Sequence, residues 1–143
     1  MTTVNDLLRD KSTEIWTIAP ESSVFEALEL MSEKNIGAVL VLESGRLVGL
    51  LSERDYARKV ILENRTSRDT PVRDVMTTRV AYVEPSMKIQ DCLALMTDKR
   101  FRHLPVMAND KLVGLVSIGD LVKGVLAEKE FMIEQLEQYI TGQ

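Results

Sequence analysis

The stretch Leu47-Val48-Gly49-Leu50-Leu51-Ser52-Glu53-Arg54-Asp55 returns 65 residues later as Leu112-Val113-Gly114-Leu115-Val116-Ser117-Ile118-Gly119-Asp120, and this recurrence decides the fold. Working outward, Pro20 pairs with Pro85, Leu28 with Leu93, Met31 with Met96, Lys34 with Lys99 and Val41 with Val106. Of the 41 positions from Trp16 to Tyr56, 12 are identical to Ala81–Leu121 without a gap. Two copies of one small supersecondary unit, each poorly able to bury its own apolar face, are expected to share a core.

Each copy reads as strand, helix, strand, strand, helix. In the first, Trp16-Thr17-Ile18 is extended and stops at Pro20. Ser23 and Glu26 have capping-box spacing, and Val24, Ala27, Leu28 and Met31 recur three or four apart, as one helix face requires. Ala38–Leu42 and Leu47–Leu51 are unalternating apolar runs around a turn at Glu43–Arg46, a hairpin covered on both faces. Ser52 opens a second helix. The second copy gives Ala81–Val83, a helix from about Ser86 to Thr97, Leu104–Met107 with Pro105 at an edge or at the strand's beginning, a turn at Asn109-Asp110, Leu112–Val116 and a helix from Ser117. The fold class expected is α/β (α+β), with repeats over 8–63 and 72–127, a linker over 64–71 and a helical extension over 128–143.

After Asp120, Val122, Val125, Leu126, Met132, Ile133, Leu136, Tyr139 and Ile140 form an apolar stripe that runs on into this extension, interrupted by Glu128-Lys129-Glu130. Two readings stand: a tail folded against its own domain, or a helix that seals a subunit interface.

Composition excludes several function classes. With 143 residues, 45% hydrophobic, 28% charged and a net charge of -4, the chain is an ordinary globular sequence without the basic footprint that nucleic-acid backbones require. The single cysteine, Cys92, cannot form an internal disulfide, and with no apolar run of membrane-spanning length and no signal-peptide core a cytoplasmic location is expected. Ser117, His103 and Asp120 supply the residue types of a catalytic triad, but no nucleophile elbow, metal-ligand cluster or phosphate-cradling glycine loop accompanies them. Cys92 lies on an apolar helix face and reads as packing. No enzymatic activity and no catalytic cofactor are expected.

The Ser-x-x-Asp spacing has its own chemistry. A Ser at a strand-to-helix junction stands where unpaired N–H groups and the positive end of the helix dipole favour an anion. The Asp one turn on lies on the same face, able to accept from ribose hydroxyls. The plainer reading is that Ser52 and Ser117 are N-caps, with Asp55 and Asp120 stabilising the first turn.

These motifs, Leu30-Met31, Leu40-Val41 and Leu47–Asp55 with Leu95-Met96, Pro105-Val106 and Leu112–Asp120, resemble those of a tandem pair of cystathionine-beta-synthase (CBS) domains, a stand-alone regulatory module of bacterial type. The resemblance covers roughly residues 8–127. It implies two pseudo-symmetric repeats packed through their sheets, with clefts between them for AMP, ADP, ATP or NAD, S-adenosylmethionine ranking behind these. It assigns ligand contacts to Thr17, Ile18, Ile36, Gly37, Ala38, Ser52, Arg54 and Asp55 around the first motif, and to Tyr82, Val83, Phe101, Arg102, His103, Leu104, Pro105, Ser117 and Asp120 around the second. Arg102 and His103 can reach phosphate where Gly37 and Ala38 cannot, so the two clefts are unequal. The function implied is an energy or redox sensor that signals through conformation, a homodimer or an unidentified effector protein. The alternative is a structural, oligomerising module with no tight ligand.

Overall fold

The computed structural model describes residues 2–10 and 15–142, the side chain of Asp10 excepted. Its elements run α1 (Val4–Asp10), β1 (Thr17–Ile18), α2 (Val24–Lys34), β2 (Ala38–Glu43), β3 (Arg46–Ser52), α3 (Glu53–Tyr56, continuing as π-helical turns over Ala57–Ile61), α4 (Val72–Val75), α5 (Ile89–Lys99), β4 (His103–Ala108), β5 (Lys111–Ser117) and α6 (Ile118–Thr141). They fall into two compact units, one of residues 15–81 and one of residues 1–14 with 82–143.

In the unit of residues 15–81 the sheet order is β1-β2-β3, with β1 parallel and β3 antiparallel to β2. Four consecutive residues of β2, Ala38 to Val41, are buried, which a strand shows only when both faces are covered. Ser44 and Gly45 have φ of 52° and 79°, the left-handed pair that a two-residue hairpin turn needs. Ser23 caps α2 by accepting from the Glu26 N–H at 3.1 Å, and Asn35 ends it in a left-handed conformation. Val24, Ala27 and Met31 from α2, Val39 and Val41 from β2, Leu51 from β3 and Val60, Val72 and Val75 from the later turns form the core.

The other unit repeats the hairpin. β4 pairs with β5, and the register shift after Val106 matches the one after Val41. In both hairpins one valine of the second strand, Val48 or Val113, is the extra residue of a β-bulge. The expected first strand shrinks to one parallel bridge, Val83 with Val106. In the first repeat the Leu40 N–H reaches the Trp16 carbonyl at 3.4 Å. Pro105 stands at the equivalent place with no N–H to donate, so the ladder begins only at Val83. Pro105 thus costs no bond in the hairpin itself, being paired with Leu115 on its other side. The helix expected from Ser86 begins instead at Ile89. Its N-cap is Lys88, which offers no side-chain oxygen, so position 89 matches Val24 in the repeat while the Ser23 cap is lost.

The leading segments show a second repetition that the 65-residue offset hides. Val4-x-Asp6-Leu7-Leu8 matches Val72-x-Asp74-Val75-Met76 at an offset of 68. Each docks on the core of the other repeat. Val72 and Arg73 donate to the carbonyls of Ser22 and Pro20 at 2.8 and 2.9 Å, and Val24 donates to Thr70 at 2.8 Å. Val4 and Asn5 donate likewise to Met87 and Pro85, both at 2.9 Å, and Ile89 to Thr2 at 3.1 Å. The stretch expected to be a linker is held down too: Phe25 N–H donates to the Ser67 carbonyl, and the Arg68 guanidinium lies 3.8 Å from the centre of the Phe25 ring.

The two strand glycines of the repeated stretch exist for these docked segments. A Cβ built on Gly49 would meet Met76 Sδ at 2.6 Å, and one on Gly114 would meet Leu8 Cδ2 at 2.7 Å. Overpacking against fixed atoms costs about 1–3 kcal/mol, and against the end of a side chain that can shift, as here, about 1 kcal/mol or less. In urea unfolding, Gly114→Ala should therefore lower stability by about that amount, and combining it with Leu8→Ala should recover part of the loss beyond simple addition of the two single effects. Asp110, at φ 63° in the second hairpin turn, offers the opposite test: Asp110→Gly should raise stability by roughly 0.5–1 kcal/mol, since glycine adopts this conformation without a Cβ clash.

Candidate functional site

Antiparallel pairing places Ala38 opposite Ser52 and His103 opposite Ser117. The residues expected to line each ligand site thus gather, within each unit, at the sheet end where a helix begins. Two backbone bonds fasten the arrangement: Glu53 N–H donates to the Gly37 carbonyl at 3.1 Å, and Ile118 N–H to the Arg102 carbonyl at 2.9 Å. Thr17 and Ile18 lie beside Leu40 and Val41, two residues further along the strand from Ala38. Val83 has the same relation to Val106, with Leu104 and Pro105 buried next to it. Thr17, Arg54, Tyr82 and Arg102 are exposed, while Ile18, Ile36, Gly37, Phe101 and His103 are half-buried.

At both helix starts the Ser and Asp close a capping box. Ser52 Oγ accepts from the Asp55 N–H at 3.2 Å, while the Asp55 carboxylate accepts from Ser52 N–H at 2.9 Å and from its hydroxyl at 3.1 Å. Ser117 Oγ accepts from the Asp120 N–H at 3.1 Å, and Asp120 Oδ2 accepts from Ser117 N–H at 2.8 Å. The plainer sequence reading is therefore realised twice. Three N–H groups of each mouth are satisfied this way, those of Ser52, Glu53 and Asp55 and those of Ser117, Ile118 and Asp120.

The mouths differ in what surrounds the cap. Lys59 Nζ stands 3.1 Å from Asp55 Oδ1 and also donates to the Val75 carbonyl at 2.9 Å, while Thr77 Oγ1 donates to Asp55 Oδ1 at 3.3 Å. Both oxygens of Asp55 are thus engaged from within the unit. Lys59 lies one turn beyond the motif, whereas the approach of Thr77 depends on the docked leading segment, whose backbone pairs with Leu50. In the second repeat the equivalent of Lys59 is Gly124 and that of Arg54 is Gly119. A Cβ on Gly119 would meet nothing closer than Ser117 Oγ at 3.6 Å, an ordinary contact, so the backbone there is uncrowded.

The model of the CBS domain matches residues 4–62 and again 72–127. The chain belongs to the CBS-domain family. A solved CBS-domain protein from Burkholderia ambifaria is 50% identical, with 88% of this chain and 95% of that one covered at a TM-score of 0.86. CBS domain-containing protein CBSX3, mitochondrial, from Arabidopsis thaliana is 36% identical over 99% of this chain and 73% of its own length. CBS domain-containing protein YhcV from Bacillus subtilis is 36% identical, with 85% of this chain and 84% of its own length covered. CBS-domain pairs are generally regulatory modules and commonly bind adenosine ligands. No helix of the described residues is long and apolar enough to cross a membrane, and no cluster of three metal-ligating side chains occurs among them.

Cys92 is buried on α5, and burial, helped by the charge of Asp91, pushes its thiol up to about 11. A thiol reacts as the thiolate, so the native protein at pH 8 should leave an aromatic disulfide reagent unreduced, with one equivalent of colour released on adding urea. Fast reaction of the folded chain would contradict the packing role. The caps make a separate prediction: Ser117→Ala should cost about 1 kcal/mol of unfolding free energy with no ligand present.

Proposed function

We propose that this CBS-domain protein is a regulatory adenine-nucleotide-binding module, taking AMP, ADP, ATP or NAD at its Ser-x-x-Asp helix mouths and reporting energy or redox state through a change of conformation or association. The observation that carries the reading is the meeting of a capped helix start with Arg102 and His103 at one sheet end, through the Ile118–Arg102 bond and the His103–Ser117 pairing. A carboxylate offers about four lone-pair sites, and the cap uses Oδ2 of Asp120, so holding the cap is compatible with accepting from a ribose hydroxyl. The phosphate would lie over the Gly119 backbone, where the helix dipole and the Arg102 side chain both favour an anion. The second repeat is the preferred site, since Arg102 and His103 stand at its mouth where Gly37 and Ala38 stand in the first. A reducing, cytoplasmic setting goes with this reading and with a single buried thiol.

The satisfied capping boxes favour a second reading, in which the motifs are structural and the protein acts by oligomerising or by contacts with an effector protein, without a tight ligand.

Thermal unfolding in the presence of each nucleotide separates the two. A ligand at 100 times its dissociation constant adds ~2.7 kcal/mol to the folded state. Asp120→Ala should weaken binding ~10- to 100-fold, the value of one or two charge-assisted bonds, and Asp55→Ala should weaken it less. Absence of any shift with all four nucleotides at millimolar concentration, or unchanged affinity in both variants, would leave only the structural reading.

A further inference from the structure

Helix α6 runs for 24 residues, and every residue from Lys129 to Gly142 is exposed. The tail does not fold back on its own unit, the first of the two sequence readings. Five of its exposed apolar residues lie along a line that Lys129 interrupts. Val122, Leu126, Lys129, Ile133, Leu136 and Ile140 follow one another at spacings of four, three, four, three and four, which is the heptad seam of a helix that packs against another helix. Leu136 is 59% exposed, Ile140 80% and the adjacent Tyr139 87%. Taking roughly 200 Å² for a fully exposed large side chain, the apolar residues of the seam and its flank expose on the order of 800 Å², about one partner's share of a standard interface and above the patch an ordinary monomer carries.

We infer that this seam is covered by the same helix of a second copy, running antiparallel. Direction follows from the flanks. One flank of the seam is apolar, Val125, Met132 and Tyr139; the other is charged, Lys123, Glu130 and Glu137. In a parallel pair each flank faces the opposite flank of its partner, so charge would meet apolar surface. Reversing one helix puts like flank on like flank. With the twofold axis near residue 131, Leu126 meets Leu136 of the second copy, Val122 meets Ile140, and Lys123 comes within reach of Glu137. Glu130 faces its own counterpart, with Lys129 of each helix beside the pair.

The apolar flank supplies an independent fit. Val125 lies in a slot of about 540 Å³ between α5 and α6, whose walls include Leu93, Ala94 and Thr97. In the antiparallel register the residue opposite Val125 is Tyr139 of the second copy. The most exposed aromatic side chain of α6 is thus carried to the groove that lies beside its seam. The half of α6 that projects beyond its own unit would cover the half of the second copy's α6 that is anchored on α5.

Sedimentation equilibrium and cysteine cross-linking of the full chain test this. The protein should be a dimer at micromolar concentration, and Leu136→Glu should shift it to monomer by at least 100-fold in dissociation constant while leaving its circular dichroism and its thermal midpoint at high dilution unchanged. Met132→Cys, near the axis, should cross-link to itself on mild oxidation, and Leu126→Cys should cross-link to Leu136→Cys when the two variants are mixed; buried Cys92 does not compete. A monomeric parent protein, a dimer that Leu136→Glu leaves intact, or self-cross-linking at Leu126→Cys and Ile140→Cys as strong as at Met132→Cys would each overturn the proposal. Nucleotide binding does not enter these readouts, so their outcome is separate from that of the ligand assays.

Discussion

The docking of each leading segment on the core of the other repeat is the constraint from which the remaining architecture follows. Val72 and Val4 are fully buried at equivalent places, and three backbone hydrogen bonds hold each segment against the loop that starts α2 or α5. Buried backbone groups must be paired, so these bonds fix where the helices begin. At 49 and 114 a larger residue would have to displace the Met76 or Leu8 side chain that the docked segment brings there. Only with Thr77 brought to Asp55 by the same docking does the first helix mouth acquire its distinctive electrostatics.

Much of this architecture can be read from residue patterns alone. The hairpins, both Ser-x-x-Asp helix starts and the α2 face are local signals: apolar runs of strand length, cap spacing and a 3.6-residue period each act over a few residues. The short first strand of the second repeat is different. Its loss follows from a single missing N–H at Pro105, felt across a ladder that sequence spacing does not reveal. The docked segments escape for another reason, since their repeat runs at 68 residues and not 65, and a search in one register passes over it. A second register would have found Val-x-Asp followed by two apolar residues in both places.

For the site, the residue types were legible and their commitments were not. Ser52, Asp55, Ser117 and Asp120 stand where the motif puts them, but the distinction between the mouths comes from Lys59, Thr77, Gly119 and Gly124, which belong to no motif. Identical cap chemistry thus stands in two settings, one with Lys59 and Thr77 on the carboxylate and one with glycines at the positions equivalent to Arg54 and Lys59. Inequality between repeats is how a duplicated fold comes to hold two different sites without changing its core, because surface neighbours can diverge where packed residues cannot.

The division of the chain into a contiguous unit and a split one has a consequence for how the protein is made. Residues 15–81 complete their unit within one uninterrupted stretch, so on a ribosome this half can close as soon as it emerges, at a synthesis rate of about 5–20 residues per second. Thr2 and Val4 leave the tunnel before that stretch, yet the carbonyl and amide groups that receive them belong to Met87 and Ile89. A segment synthesised ahead of the contiguous unit therefore waits for partners made after it, and long loops closed late are slow to form.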